Sequence, residues 1–221
     1  MYEYLFGSMV FFVIWVIFYF LRNDLRNQMV FSSFLSLPLG ALEVLFIPYY
    51  WNPQRLFNFN PAIESFVLMF CVGGIVSVLY EVVFMKKLEN LSISSAERKR
   101  LNRSIGAVIV VSIVLLSFIF KNDFIYTFSI TMFLGTIAIF VSRRYLFRKI
   151  VFSGAGFLLI YFLFLLFINI IAFPGWIQKA WVSEHLSGVF LYTIPIEEIL
   201  WAFSFGLFWS TLYQILRGYR S

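Results

Sequence analysis

The chain has 221 residues, of which 62% are apolar, 22% aromatic and only 13% charged, whereas a soluble domain carries about 45–50% apolar and about 25% charged residues. That composition points to an all-α integral membrane protein and excludes soluble enzymes built on open α/β sheets. The formal net charge of +6 raises nucleic acid as a partner, but the placement of the basic residues argues against it.

Crossing about 30 Å of hydrocarbon takes roughly 17–25 helical residues. Seven apolar runs of about that length follow one another: 4–21, 29–47, 62–84, 105–120, 124–141, 150–173 and 195–216. None contains Lys or Arg. They are continuously apolar rather than alternating, which predicts seven transmembrane helices and not a barrel. The first run lacks a basic n-region and a small-residue cleavage site, so it reads as a mature helix and not a signal peptide. Single Cys71 and single His185 exclude an internal disulfide, a multi-cysteine zinc site and His-pair metal motifs. No G-x-G-x-x-G or P-loop follows a strand, and no run offers a lysine for a retinal Schiff base. No cofactor and no metal are therefore expected.

The basic residues orient the runs. Arg22 and Arg26 follow the first; Lys86, Lys87, Arg98, Lys99, Arg100 and Arg103 follow the third. Arg143, Arg144, Arg148 and Lys149 follow the fifth, and Arg217 and Arg220 the last. Only Arg55, Lys121 and Lys179, of 17 Lys and Arg, fall on the opposite side. Basic loops stay in the cytoplasm, so the N-terminus is expected outside and the C-terminus inside. The positive charge is then a topology signal, with the basic loops lying on anionic lipid and no nucleic acid involved. Ser94-x-x-Glu97 predicts a capping box opening a short juxtamembrane helix.

The third and seventh runs align without gaps at an offset of 133. Ile63-Glu64, Phe70, Gly73, Ser77 and Leu79-Tyr80 match Ile196-Glu197, Phe203, Gly206, Ser210 and Leu212-Tyr213, and Glu81 falls on Gln214. The predicted organisation is a single transmembrane domain over 1–221. Residues 1–84 form a first three-helix repeat. Residues 85–120 are a cytoplasmic basic loop plus a linking fourth helix. Residues 121–221 form a second repeat parallel to the first. The linking helix supplies the extra crossing that keeps two odd-numbered repeats in one orientation.

Five acidic residues sit in or at the ends of runs: Glu43, Glu64, Glu81, Glu197 and Glu198. None has a basic partner within a run, and a carboxylate in hydrocarbon marks a functional site by default. Glu81 reads as an interface residue beside Lys86 and Lys87. Glu64, Glu197 and Glu198 occupy first helical turns, where acids also satisfy the helix dipole. Neighbouring helix positions point about 100° apart, so the wheel alone assigns neither Glu197 nor Glu198 to a cavity. Glu43 either bonds across helices or lines that cavity.

Thr193-Ile194-Pro195-Ile196-Glu197-Glu198 resembles the P-x-E-E signature of the membrane-embedded, heterodimeric or fused type of lycopene cyclase. Pro48-Tyr49-Tyr50-Trp51-Asn52-Pro53 followed by Ile63-Glu64-Ser65 is similar to the corresponding stretch of the first repeat, with Ser65 in place of the second acid. The resemblance implies a carotenoid-biosynthesis isomerase that closes the end group of a lipid-soluble polyene by acid catalysis, without net redox change. It implies catalytic roles for Glu197, Glu198 and Glu64. It implies substrate contacts for Trp51, Trp181, Trp201, Phe203, Phe70 and Glu43. A non-catalytic membrane or lipid-binding protein of the same fold and a small transporter are the alternatives. The oligomeric state is left open.

Overall fold

The computed structural model describes residues 2–57, 59–91, 94–121 and 123–220; the side chain of Arg220, counted above among the basic residues, lies outside the described residues. Lipid offers no partners for backbone N–H and C=O groups, so apolar runs of this length close their hydrogen bonds internally as helices. Among the described residues, seven helical spans long and apolar enough to cross a membrane result. The first is α1 (Glu3–Leu21). The second is α2 (Arg26–Ser36), continued by a 3-10 helix over Leu37–Leu45. Then come α3 (Ile63–Val83), α4 (Ser95–Phe120) and α5 (Phe124–Ser142). The sixth span is α6 (Phe147–Leu166) with a π-helical end over Phe167–Ala172. A short α7 (Trp176–Ala180) precedes α8 (Ile196–Arg217), the seventh span.

α3 and α8 form the centre, with 61% and 67% of their apolar windows buried. α3 packs on α1 and α2, α8 packs on α5 and α6, and α3 and α8 touch each other. Two glycines sit at close helix crossings. A Cβ on Gly73 would lie 2.0 Å from Ser36 Oγ of α2, and one on Gly206 would lie 2.9 Å from Gly154 Cα of α6. Small residues at such crossings let helix backbones meet. α4 lies along α5 and is the most exposed span, 11% buried. Two-residue strand pairs tie the ends: β1 (Glu89–Asn90) with β4 (Tyr219–Arg220), and β2 (Phe190–Leu191) with β3 (Ile194–Pro195).

The second span is not the continuous α-helix that its apolar run suggests. Pro38 has no N–H to donate and its ring clashes one turn back. Gly40 lies so close to α3 that a Cβ would sit 2.8 Å from Phe66 Cα. The chain tightens into nine 3-10 residues, longer than the 3–4 that such helices usually reach.

The juxtamembrane helix and the fourth span are also one helix. Ser94 Oγ accepts from Glu97 N at 3.1 Å, half of the expected capping box. The Glu97 carboxylate turns instead to Arg143 at 2.9 Å.

Glu81 is corrected from an interface residue to a fully buried one. It pairs with Lys149 and accepts from Gln214 Nε2 at 3.0 Å. Lys149, one position before its apolar run, is 1% exposed inside α6. It also donates to Ser77 O, which Gln28 Nε2 bonds as well. The expectation that no acid has a basic partner in a span therefore fails. An aliphatic stem let Lys149 reach inward, and only packing could reveal its partner. Lys149 is not among the residues that line the cavity described next.

Candidate active site

Two long connections meet at the end of the bundle opposite the basic loops. Residues 46–62 and 173–195 are joined by Asn52 N to Ala180 O at 2.6 Å and Val182 N to Tyr50 O at 3.0 Å. These bonds form an antiparallel bridge between Trp51 and Trp181, whose rings stand 5.5 Å apart. Tyr4 meets Trp51 edge-on at 4.8 Å, and Trp176 meets Trp181 edge-on at 5.2 Å. Rigid rings thus roof a cavity that descends between the spans.

The cavity is about 320 Å³, mostly apolar and only partly enclosed. That is the low end of the roughly 300–1,000 Å³ of ligand sites. Its floor is one face of α8: Trp201, Phe205, Phe208 and Trp209. Spacings of four, seven and eight bring those rings to one side of the helix. Trp201 stands 5.4 Å from Phe205, which stacks on Trp209 at 5.1 Å. Leu39, Leu42 and Phe46 line one side, and Ile109 and Ile113 of exposed α4 another.

Glu198 is the most elaborately held carboxylate. Its Oε1 accepts from Tyr50 OH at 2.8 Å and Trp181 Nε1 at 2.9 Å, and its Oε2 from Tyr161 OH at 2.7 Å. The donors come from the first connection, the second connection and α6. Burial first, then the Glu198 charge, holds the Tyr50 phenol well above its ordinary value, so it remains a donor. Glu198 is 5% exposed and lines the cavity. Charge-assisted bonds of this kind are the strong ones, and three on one group leave it a fixed orientation.

Glu43 reaches the cavity from the 3-10 segment. Its Oε2 accepts from Ala62 N at 2.5 Å. Its Oε1 is buried and has no hydrogen-bond partner. Beside it Tyr4 OH and Ser65 Oγ bond each other, and all three residues line the cavity.

The other expected residues fall elsewhere. Glu64 is buried beneath the first connection, where its Oε1 accepts from Leu56 N at 2.7 Å. Glu197 is buried beneath the second, accepting from Ser187 N at 2.6 Å and Tyr126 OH at 2.7 Å. Phe203 faces α5 and α6, 5.9 Å from Phe133. Phe70 packs with Trp15 and Phe34. None of these four lines the cavity, whereas Trp51, Trp181, Trp201, Glu43 and Glu198 do. Sequence reasoning missed Tyr4, Tyr50, Tyr161 and Ser65. Tyr50 lay inside a quoted motif, and Tyr4 and Tyr161 each placed a hydroxyl inside an apolar run, so a signal existed.

A protein-family model described as lycopene cyclase matches residues 123–216. The resemblance carried by Pro195-Ile196-Glu197-Glu198 is therefore borne out over the second half of the chain. No curated protein and no solved structure matches the chain.

Proposed function

We propose that this chain, whose residues 123–216 match the lycopene cyclase family, closes the end group of a carotenoid-like polyene inside the membrane. The observation that carries the proposal is Glu198. It is a buried carboxylate with three donors, set in the wall of an aromatic cavity. Ring closure needs a proton added to a terminal alkene, protection of the resulting cation from water, and removal of a proton afterwards. Aromatic faces stabilise a cation, and Trp51, Trp181, Trp201 and Phe205 are at hand for it. Fixed charges in a water-poor site act more strongly than in solvent. A polyene dissolved in lipid reaches the cavity sideways, past Leu39, Leu42 and Phe46 on one side and Ile109 and Ile113 on the other.

In this reading Glu198 acts at the substrate, while Glu64 and Glu197 are positioning residues that anchor the two roofing connections. The two-repeat organisation is part of the proposal. Its supports are the pairing of Glu81 with Gln214, which share an alignment column, and of Trp51 with Trp181. Equivalent glycines at the α2–α3 and α6–α8 crossings support it too. So does the matched role of Glu64 and Glu197, each accepting a backbone N–H from the connection before its own helix. The basic end is assigned to the cytoplasm by the distribution of Lys and Arg, with anionic lipid against it. Expression in lycopene-accumulating cells, with pigment analysis, tests the function. Cyclic carotenoid is expected, and unchanged lycopene at full membrane expression removes lycopene as the substrate.

A further inference from the structure

A second recess lies at the other end of the bundle, among the basic residues, and we infer that it binds one anionic phospholipid of the facing leaflet by its phosphate group. The recess is about 550 Å³, within the roughly 300–1,000 Å³ of ligand sites. Three spans meet around it. α8 contributes its last turn with Arg217, α2 its first turns with Asn27, and α4 brings Arg98 from near its start. Tyr219 closes it from β4, stacked on Tyr213 of α8 at 5.5 Å. Among the described residues it shares none with the roofed cavity, so the inference stands apart from the cyclase reading.

The polar side of the recess suits an anion. Arg98 and Arg217 bring guanidinium groups from two helices, and Asn27 and the two phenols add neutral donors. Among the described residues that line it there is no Asp or Glu. The acid next to Arg98 in the chain, Glu97, turns away to Arg143 at 2.9 Å. None of the ion pairs among the described residues uses Arg98 or Arg217. Each is placed by other means: Arg98 Nη1 donates to Arg217 O at 3.1 Å, and the Arg217 guanidinium lies 4.6 Å from the centre of the Phe31 ring. A guanidinium carries five N–H donors, so that one bond leaves most of the Arg98 fork for a ligand. The carbonyls at the end of α8 do not compete for it. Gln214 O accepts from Gly218 N at 2.8 Å, and Gly218 O from Leu91 N at 2.9 Å. Two planar forks from different helices match the several acceptor oxygens of a phosphate.

The apolar side makes the phosphate a lipid's. Val30 and Phe31 of α2 and Leu216 of α8 form it, on two spans that touch each other. One turn along α2 from Val30, Phe34 is 61% exposed. Residues four apart lie on one helix face, so the wall of the recess continues as a lipid-facing stripe towards the middle of the membrane. An acyl chain has a track there, which free phosphate does not need. Basic pockets between transmembrane helices hold acidic headgroups by this combination of charge and apolar wall. The recess thus adds one fixed site to the diffuse attraction between the basic loops and an anionic surface.

The test uses the purified full chain, delipidated in detergent and titrated with dioleoylphosphatidylglycerol, dioleoylphosphatidylcholine or inorganic phosphate. Bound lipid is counted by native mass spectrometry, and the melting temperature is followed in parallel. One phosphatidylglycerol per chain is expected to bind saturably and to raise the melting temperature. Phosphatidylcholine, whose choline cation meets two arginines, is expected to bind far more weakly, and inorganic phosphate to leave the bound lipid in place. Arg217→Gln removes one fork and is expected to weaken phosphatidylglycerol binding about 10-fold or more. Arg98→Lys keeps the charge and a donor for Arg217 O, so it spares the fold. It too is expected to bind more weakly, since an ammonium has no planar fork. Arg148→Gln removes an exposed charge at the same end but outside the recess and is expected to bind like wild type. Equal weakening by Arg148→Gln and Arg217→Gln, uptake that never saturates, equal affinity for phosphatidylcholine, or displacement of the lipid by inorganic phosphate overturns the inference.

Discussion

Glu197 and Glu198 are adjacent in sequence and alike in chemistry, yet they work in different places. One turns to Ser187 and Tyr126 under a surface connection, the other to Tyr50, Tyr161 and Trp181 at the cavity. The 100° between neighbouring helix positions is the whole reason. Their variants should separate accordingly. On the proposed function, Glu198→Gln keeps the size but removes the carboxyl group that acts at the substrate, and ring formation is expected to fall by about 100-fold or more. Glu197→Ala and Glu64→Ala instead leave Ser187 N–H and Leu56 N–H without an acceptor, at about 1–3 kcal/mol each. Thermal melts in detergent should show both losses, while the turnover of the protein that remains folded stays within a few-fold of wild type. Loss of turnover without loss of stability in Glu197→Ala would return that residue to the chemistry.

At the level of elements, two departures from the regular helix do the positioning. The 3-10 segment carries Glu43 to the cavity, and the π-helical end of the sixth span holds Asn169. That residue accepts from Ile177 N at 2.8 Å and donates to Thr193 Oγ1 at 3.0 Å, so it braces the second connection. Pro38→Ala restores a donor and removes the ring clash, which favours α-helix through this stretch. Cyclisation is expected to drop with little loss of thermal stability. Helix crossing is the other element-scale constraint. Any side chain on Gly206 meets the α6 backbone, so Gly206→Val should cost about 1–3 kcal/mol or more by overpacking, read as a lower melting temperature.

The buried pair Glu81–Lys149 links α3 to α6, and Gln214 adds α8. Lys149→Met leaves the Glu81 charge unpaired, a loss of about 3–5 kcal/mol by analogy with broken buried pairs. Lys149→Met with Glu81→Leu removes both charges and should recover most of it. A double variant no more stable than the single one would show that the pair is needed for more than charge balance.

Across the whole molecule, the basic residues cluster at one end and the roofed cavity lies at the other. Cysteine substitutions at exposed Ser95 and Gln54 test how this is mounted in the membrane. An impermeant thiol reagent added to intact cells is expected to label the cysteine at 54 and spare that at 95. The reverse pattern would put the cavity on the cytoplasmic side.

The number of spans and their approximate limits were readable because hydrocarbon thickness dictates length and a single apolar run closes its own hydrogen bonds. The P-x-E-E motif and the acidic residues in apolar runs were readable too, since charge in lipid stands out against its surroundings. What residues 4–216 could not disclose in one dimension was direction. The sequence leaves Glu43 between two roles, and the 3-10 segment that Pro38 and Gly40 impose brings it to the same cavity as Ser65, 22 positions away in the chain. Lys149 lay outside every apolar run until its stem reached Glu81 across 68 residues. Tyr50 and Glu198 meet across 148. Local sequence specifies helix and hydrophobicity through near-neighbour sterics and solvation. The set of donors around one carboxylate comes from contacts between elements that only packing brings together.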